Sequence, residues 1–301
     1  MDQADQLRQL VRDTIQEHPG LAPGVPLVVL SGGKGGVGVT TVATELVHEL
    51  AALGKRSVLV DANPLQPDIT TQLGLDARGC LADVLDGSRS AVEVLKPLGE
   101  SIQLLPGRWA ADAPPELSRA AVMRLIGELR ALHAQADVVV LDVGSGMSPW
   151  TEQLWKAAQQ ILLITTDQSV AVMDSYAAVK LSSWGDVDDK LRLVVNQCDD
   201  GQLASTIGAR FEATCRRFLG IRVESAVALP TRPDIVTTIA GTGDAGADRA
   251  FRQSIRLLAA DVMSTSLALS SKLSPSKPAH PPARDFRVDS YFPEKSIQNS
   301  Q

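Results

Sequence analysis

A glycine-rich run between an apolar segment and a helical pattern is the first feature of this sequence that could do chemistry. Residues 31–41 read SGGKGGVGVTT and continue directly from the apolar segment 26–31, PLVVLS. Glycines let successive backbone N–H groups curl around a phosphate, and the N-terminus of the following helix adds its partial positive charge. The hydroxyl of Thr40 has the position of a ligand for Mg²⁺ bound to those phosphates. The residues predicted to contact a nucleotide here are Gly33, Lys34, Gly35, Gly36, Val37, Gly38, Val39, Thr40 and Thr41.

Two acidic residues at the ends of predicted strands could complete a metal site. Asp61 ends the segment 56–61, and Asp142 ends the segment 137–142, after which a glycine-containing loop follows. An acid in this position is typical of proteins that sense Mg²⁺ and the terminal phosphate of a nucleotide. The same position also suits a helix N-cap, for which Asp is common. Because the glycine-rich run is present as well, we predict that Thr40, Asp61 and Asp142 ligate Mg²⁺.

Seven short apolar runs alternate with longer helical patterns, and this alternation predicts the elements that position these residues. The predicted fold class is α/β, a doubly wound and mostly parallel sheet of about seven strands with helices on both faces. Ligands of such sheets bind at the carboxyl ends of the strands, where the glycine-rich run and both acids lie. The predicted strands are residues 26–31, 56–61, 101–106, 137–142, 160–165, 191–196 and 221–229, and a long helix follows at about 245–269.

Composition and segment boundaries limit what the chain can be. Of its 301 residues, 44% are apolar and 21% are charged, which is ordinary for a globular protein. A net charge of −6 argues against a broadly basic surface, so no specific nucleic acid is expected as a partner. The three cysteines include no CxxC pair, so a structural zinc site is not expected. The predicted segments are an N-terminal amphipathic helix at 1–18, a linker at 19–25, the main domain at 26–273 and a disordered tail at 274–301.

The glycine-rich run resembles the deviant Walker A motif, KGGxGK[ST][ST], of the MinD/ParA family of dimeric ATPases, which have a P-loop NTPase fold. The resemblance covers about residues 26–265. It implies ATP or ADP with Mg²⁺ as the cofactor and a homodimer in the ATP-bound form. In that dimer Lys34 would act in trans, on the nucleotide of the partner. The resemblance also implies that Asn196 and the loop containing Pro230 and Thr231 enclose the adenine.

The sequence departs from this family at two catalytic positions. Val39 stands where the second lysine of the motif places a positive charge on the β- and γ-phosphates. Asn63 stands where the second acid of an Asp-x-Asp pattern, begun here by Asp61, helps to align the attacking water. Phosphoryl transfer depends almost entirely on positioning and charge neutralisation. The two changes together predict that ATP hydrolysis is very slow or lost, although a working ATPase switch remains an alternative.

Three further segments resemble the FlhG/FleN group, the MinD-like regulators of flagellar number and placement. Residues 142–148, DVGSGMS, are similar to the D-x-G-A-G-I-S loop of that group. Thr165 and Thr166, followed by DSYAAVK at 174–180, are similar to its T-T…D-A-Y-x-x-x-K segment. Residues 2–8, DQADQLR, match the DQAxxLR element that precedes its ATPase domain.

The N-terminal element implies a protein partner. In the FlhG/FleN group this helix binds FlhF, a GTPase of the signal-recognition-particle type, and stimulates its hydrolysis of GTP. The Gln of the element, Gln3 here, would act inside the active site of the partner, where a glutamine amide can orient an attacking water. The resemblance also implies contacts with proteins of the flagellar switch complex. The residues predicted to activate the GTPase are Asp2, Gln3, Ala4, Leu7 and Arg8.

Alternative functions and the location of the protein remain open at this point. A Tad-pilus localisation protein of the CpaE type fits Val39 but not the DQAxxLR helix, and a ParA-type partition protein would need a basic DNA-binding surface. The predicted location is the cytoplasm. Members of the FlhG and MinD groups end in a membrane-targeting helix, whereas here a polar tail follows Leu273. Whether the chain also associates peripherally with the inner face of the membrane is therefore left open.

Overall fold

A computed structural model describes residues 24–63, 66–75, 79–107, 118–182, 187–232 and 245–273 of the chain. Within these ranges the backbone forms an eight-stranded sheet with helices on both faces. The strands are β1 (Leu27–Gly32), β2 (Ser57–Asp61), β3 (Lys96–Pro97), β4 (Ile102–Leu105), β5 (Val138–Ser145), β6 (Gln160–Thr165), β7 (Leu191–Val195) and β8 (Val223–Ala228). The helices are α1 (Val39–Ala52), α2 (Asp68–Gln72), α3 (Leu81–Asp86), α4 (Ala91–Val94), α5 (Arg119–Arg130), α6 (Pro149–Ala157), α7 (Ser169–Leu181), α8 (Gly201–Leu219) and α9 (Ala245–Leu273).

The sheet confirms the predicted fold class. Its strand order is β3-β4-β2-β5-β1-β6-β7-β8, and each neighbouring pair except β3–β4 is parallel. Each of the seven predicted runs overlaps one strand, and β1 and β5 extend beyond their predicted ends by one and three residues. The eighth strand, β3, has two residues and pairs antiparallel with β4. Two residues carry no detectable periodicity, and Pro97, which has no N–H to donate to a further strand, suits the edge of a sheet.

Helix α1 shows how the apolar spacing attaches a helix to the sheet. Val42, Leu46 and Leu50 recur every four residues along α1 and are fully buried. Residues with this spacing form one stripe on a helix, so the stripe faces the sheet. Phe251 and Ile255 of α9 belong to the same apolar cluster. Helices α1 and α9 therefore cover one face of the sheet together.

The opposite face of the sheet is covered by helices that follow β4 to β7 along the chain. Leu125 of α5, Trp155 of α6 and Phe211 of α8 are buried in a second apolar cluster on this side. Two features favour the start of helix α6. Ser148 is its N-cap, with a hydroxyl that accepts the N–H of Thr151, and a proline lies in its first turn. Both faces of the sheet are thus buried, which explains why its strands read as continuous apolar runs.

The ends of the chain bear on several predictions. The predicted helix 1–18 and tail 274–301 lie outside the described residues, as does most of the linker 19–25. At the end of that linker, Val25 is buried and its N–H donates to the carbonyl of Arg130, 2.9 Å away. The predicted long helix is present as α9. Among the described residues, no helix combines the length and apolar character that a membrane crossing requires.

Candidate nucleotide-binding site

The glycine-rich run forms the turn between β1 and α1, as the sequence predicted. Gly38 is the N-cap of α1 and has a left-handed backbone, with φ of 90°. No side chain caps the first turn of this helix, so its N–H groups have no side-chain acceptor. A β-carbon on Gly38 would overlap with the side-chain amide of Asn196, which reaches the loop from the end of β7. The loop therefore presents backbone N–H groups at a helix N-terminus, the arrangement that binds phosphate.

Helix α7 supports the loop from the side. A β-carbon on Gly33 would overlap with the backbone nitrogen of Ser175, so the two backbones are in direct contact. Ser175 is fully buried, and its hydroxyl donates to the carbonyl of Ala171 at 2.9 Å. The segment 174–180, which the sequence analysis singled out, thus begins against the phosphate loop.

The two lysine positions of the loop differ in their surroundings. Val39 is 7% exposed and belongs to the apolar cluster beneath the loop, together with Val37 and Val42. Lys34 is partly exposed and forms no ion pair with any residue that the structure describes. Position 39 therefore contributes packing and no charge, and Lys34 is the cation of the loop.

Asp61 is held at the end of β2 by Thr70 of α2. Its Oδ2 accepts the Thr70 N–H at 2.9 Å and the Thr70 hydroxyl at 2.7 Å. Its Oδ1 is buried and has no hydrogen-bond partner among the described residues. Burial raises the pKa of Asp61, and the hydrogen bonds from Thr70 act against this rise. The carboxylate is therefore fixed in place with one oxygen left to accept a ligand.

Asp142 lies beside Asp61 because β2 and β5 are neighbours, with the two residues in register. One Asp142 oxygen accepts the Gly144 N–H at 3.0 Å, and the carboxylate also accepts a hydrogen bond from the Thr40 hydroxyl. Burial is the main reason that the pKa of Asp142 is raised to about 6; the charges of Asp61 and Asp68 also raise it, and those hydrogen bonds act against the rise. The fold thus brings together the three predicted metal ligands, Thr40, Asp61 and Asp142. Only two of these three are carboxylates, and among the described residues there is no group of three or more His, Cys, Asp or Glu that could hold a metal ion without other ligands.

Asn63 belongs to a short segment after β2 that packs against the last residues of β5. A β-carbon on Gly144 of β5 would come within 2.6 Å of the Asn63 amide, so the segment touches this strand. The Trp150 indole donates to the carbonyl of Ala62 at 2.9 Å and anchors the same segment. The Gly146 N–H donates to the carbonyl of Gly32 at 2.8 Å, which ties the loop after β5 to the phosphate loop.

A pocket of about 280 Å³ adjoins the phosphate loop on the side of β7 and β8. Its lining includes two residues that the sequence analysis assigned to adenine, Asn196 and Thr231, whereas Pro230 is next to Thr231 but not in the lining. The Asn196 Nδ2 donates to the carbonyl of Val37 at 2.9 Å, and the Thr231 N–H donates to the carboxylate of Asp199 at 2.8 Å. The full lining is Gly38, Thr41, Asn196, Gln197, Thr231, Arg232 and Phe251.

Two residues of this pocket, Gln197 and Phe251, were not predicted from the sequence. Arg232 also lines the pocket, and it directly follows Thr231 in the loop that the resemblance assigns to the adenine. Phe251 comes from α9 and carries no local signal for its position. The predicted GTPase-activating residues Asp2, Gln3, Ala4, Leu7 and Arg8 lie outside the described residues, so their role stays a prediction.

Comparisons with known proteins agree with this architecture. The family model AAA_31, described as an AAA domain, matches residues 26–178. The antiactivator FleN of Pseudomonas aeruginosa is 28% identical over 206 residues, which are 68% of this chain and 74% of FleN. The flagellum site-determining protein YlxH of Helicobacter pylori is 23% identical over 169 residues, 56% of this chain and 57% of YlxH. The septum site-determining protein MinD of Pyrococcus horikoshii, solved with Mg-ADP, superimposes with a TM-score of 0.61 at 18% identity, over 79% of this chain and 96% of that one. The fold is that of the MinD/ParA P-loop NTPases.

Proposed function

The chain belongs to the AAA_31 family of AAA domains, and we propose that it is a MinD-like, nucleotide-binding regulator of flagellar biosynthesis. The observation that carries the proposal is the convergence of the phosphate loop, Thr40, Asp61 and Asp142 at the carboxyl ends of β1, β2 and β5. The similarity to FleN and YlxH supports the flagellar role. The segments shared with the FlhG/FleN group, at 142–148 and 165–180, lie around this same site.

The residues present suit a Mg²⁺-bound nucleotide. The uncapped N-terminus of α1 offers N–H donors for phosphate oxygens, and the free Oδ1 of Asp61 and the Thr40 hydroxyl are oxygen ligands of the kind Mg²⁺ prefers. Mg²⁺ usually combines one or two carboxylates with water and substrate phosphates. When bound, MgATP supplies the γ-phosphate that distinguishes the two states of a nucleotide switch. Lys34 is the loop cation that would reach the nucleotide of a second copy in the ATP-bound homodimer.

We infer that hydrolysis is weak or lost in this chain. The apolar, buried Val39 gives the phosphates no charge, and Asn63 cannot accept a proton from an attacking water. Both deficits act on the transition state, since phosphoryl transfer depends on charge neutralisation and on positioning of the nucleophile. Binding requires less, because the backbone N–H groups of the loop are unaffected by either change. On this proposal the protein binds ATP and hydrolyses it very slowly or not at all.

Calorimetric titration with MgATP tests the proposal, using the native protein, Val39→Lys and Ala52→Lys. The third protein is a matched control, because Ala52 is an exposed residue of the same helix and the substitution adds the same charge. Saturable binding by the native protein, tightened by lysine at 39 but not at 52, would support a nucleotide switch with a weakened centre. Absence of binding in all three proteins, with native thermal unfolding, would refute nucleotide binding.

The finer part of the proposal is that the N-terminal element stimulates an FlhF-like GTPase of the signal-recognition-particle type. Gln3 would orient the attacking water in the partner, as a glutamine does in small GTPases. Full-length protein with Gln3→Ala should still bind the GTPase but should lose its stimulation of GTP hydrolysis. Gln6→Ala is the control and should keep stimulation, because Gln6 stands at one of the two variable positions of the DQAxxLR element. Equal stimulation by both variants would contradict this role.

A further inference from the structure

A guanidinium group forms one wall of the pocket beside the phosphate loop. Arg232 lies in the segment after β8, and its side chain forms an ion pair with Glu45 of α1, with Nη1 and Oε1 2.8 Å apart. Both side chains are largely buried, with 19% of Arg232 and 13% of Glu45 exposed. The guanidinium carbon lies 5.8 Å from the centre of the Phe251 ring, within the range of a cation–π contact. Two helices, α1 through Glu45 and α9 through Phe251, thus hold this one side chain.

The pairing with Glu45 restricts what Arg232 can bind. A surface arginine without a partner attracts phosphate by its charge, whereas this one already has a carboxylate in contact. Its remaining chemistry is that of a flat, weakly hydrated surface, which stacks on planar rings. Arginine planes serve nucleic-acid-binding proteins in this way as stacking partners for bases.

The position of Arg232 along α1 places it beside the nucleoside and not beside the phosphates. Thr41 lines the pocket in the first turn of α1, and Glu45 follows four residues later on the same face of the helix. The contact with Arg232 is therefore about one helical turn, roughly 5.4 Å, beyond the end that receives phosphate. A ligand with its phosphates on the loop and its remaining part in this pocket would meet Arg232 with its base.

The segment that carries Arg232 is also held at its other side. Thr231 donates its N–H to Asp199 Oδ1 at 2.8 Å, and its hydroxyl lies 3.1 Å from Asp199 Oδ2. The same segment is thus held by Asp199 after β7 and by Glu45 of α1. A wall held in this way is formed before the ligand arrives, which lowers the entropic cost of binding.

We propose that Arg232 is the stacking wall for the base of the bound nucleotide and that Glu45 is the positioning residue that holds its guanidinium plane. This inference rests on the proposed function, since it assigns a role within the same nucleotide site. Base stacking depends little on which base is present, because every base has a π-face. Arg232 therefore strengthens binding of nucleotides in general. The Phe251 ring lies 5.8 Å from the guanidinium carbon and also lines the pocket, so the wall includes a residue of α9.

The experiment compares MgATP with magnesium tripolyphosphate, which has the same phosphate chain and lacks the nucleoside. Dissociation constants are measured by calorimetry for the native protein, Arg232→Lys and Arg232→Ala. Lysine keeps the charge beside Glu45 and removes the planar surface, and alanine removes both. We expect MgATP binding to weaken about tenfold in both variants, the size of one base stack, with tripolyphosphate binding unchanged. The control is Arg256→Lys, an exposed position of α9 outside the pocket, which should change neither constant.

The positioning role of Glu45 has its own readout. Glu45→Gln should lower the affinity for MgATP about threefold, by analogy with a partly buried charged contact, and leave tripolyphosphate binding unchanged. Glu45→Asp keeps a carboxylate, so it should lose less affinity for MgATP than Glu45→Gln if the carboxylate positions the guanidinium. A merely structural role would weaken both ligands together or lower the thermal midpoint with no ligand preference.

The outcomes separate this inference from the proposed function. If the native protein binds tripolyphosphate and MgATP and both Arg232 variants keep the native affinity for MgATP, the stacking wall is refuted while the nucleotide site stands. If the variants lose both ligands equally, Arg232 acts through the fold, which also refutes the wall. If the native protein binds neither ligand, the proposed function fails and the inference fails with it.

Discussion

Replacing Asp142 with Asn should make the protein more stable above neutral pH and poorer at binding a Mg²⁺-nucleotide. Asp142 is 1% exposed, and its pKa is raised to about 6 from an ordinary value of 3.8, mainly by burial. A carboxyl with a raised pKa in the folded state contributes stability below pH 3.8, and that contribution is lost as the pH rises through about 6. Asn has the same shape as Asp without the charge. Its Oδ1 can still accept the hydrogen bond that the Gly144 N–H now donates to Asp142.

The size of the effect follows from the difference between the two pKa values. Each tenfold change in proton affinity corresponds to about 1.36 kcal/mol, so the ionised carboxylate costs about 3 kcal/mol at most. Asp142→Asn should therefore raise the free energy of unfolding by up to about 3 kcal/mol at pH 8. At pH 5 the carboxyl of the native protein is largely protonated in the folded state. The gain in the free energy of unfolding from Asp142→Asn should therefore be about half of the gain at pH 8.

Urea unfolding followed by far-UV circular dichroism at pH 8 and pH 5 measures this effect directly. Asp167→Asn is the control, because Asp167 is an exposed residue at the same edge of the sheet. The control should change the free energy of unfolding by less than about 0.5 kcal/mol at either pH. If Asp142→Asn destabilises the protein at pH 8, or stabilises it equally at both values, burial is not what raises the pKa of this carboxyl. Such a result would refute the reasoning.

The remaining predictions concern the same site. Binding of MgATP by the native protein should tighten as the pH rises from 5 to 7, because Mg²⁺ needs the Asp142 carboxylate without its proton. Calorimetry across this range measures the affinity, and a constant affinity would contradict the prediction. Thr70→Val should lower the free energy of unfolding by about 2–4 kcal/mol in urea titrations, because it removes the hydroxyl that now donates to the buried Asp61 carboxylate and accepts the Gly107 N–H at 2.9 Å. Thr70→Ser keeps the hydroxyl and should retain most of the native value. Gly33→Ala should abolish nucleotide binding and lower the thermal midpoint because its β-carbon overlaps with α7. Gly127→Ala, at an exposed position of α5 with open space for a β-carbon, should instead stabilise the protein by about 0.5–1 kcal/mol. A Gly33→Ala protein with native affinity would show that the two backbones can separate.

The part of the site that the sequence predicts is the part built from contiguous residues. The strand, the glycine-rich turn, the hydroxyl and the helix follow one another from residue 26 to residue 52, so each constrains the reading of the next. Asp61 and Asp142 could be placed beside them because parallel strands bring their carboxyl ends to one edge. No contact between distant residues had to be known.

The part that escaped prediction depends on tertiary packing. Phe251 enters the pocket because α9 packs beside α1, and nothing in the pattern of α9 states which helix it will meet. The support of Gly33 by α7 and the bonds from Thr70 to Asp61 likewise join segments that no local rule connects. The ion pair of Arg232 with Glu45 spans most of the chain. Local periodicity determines which elements exist, whereas these partners depend on how the elements are arranged.

The amide of Asn196 has a consequence for how the molecule can be divided. Its donation to the carbonyl of Val37 means that the phosphate loop is completed by a side chain outside the segment 26–178 that the family model matches. Helix α1 likewise packs against α9, which begins at residue 245. A fragment cut at residue 178 would expose the part of α1 that α9 covers and would leave the loop carbonyl without this donor. The recognisable half of the sequence is therefore not an independent module, and a minimal folding unit has to extend into α9.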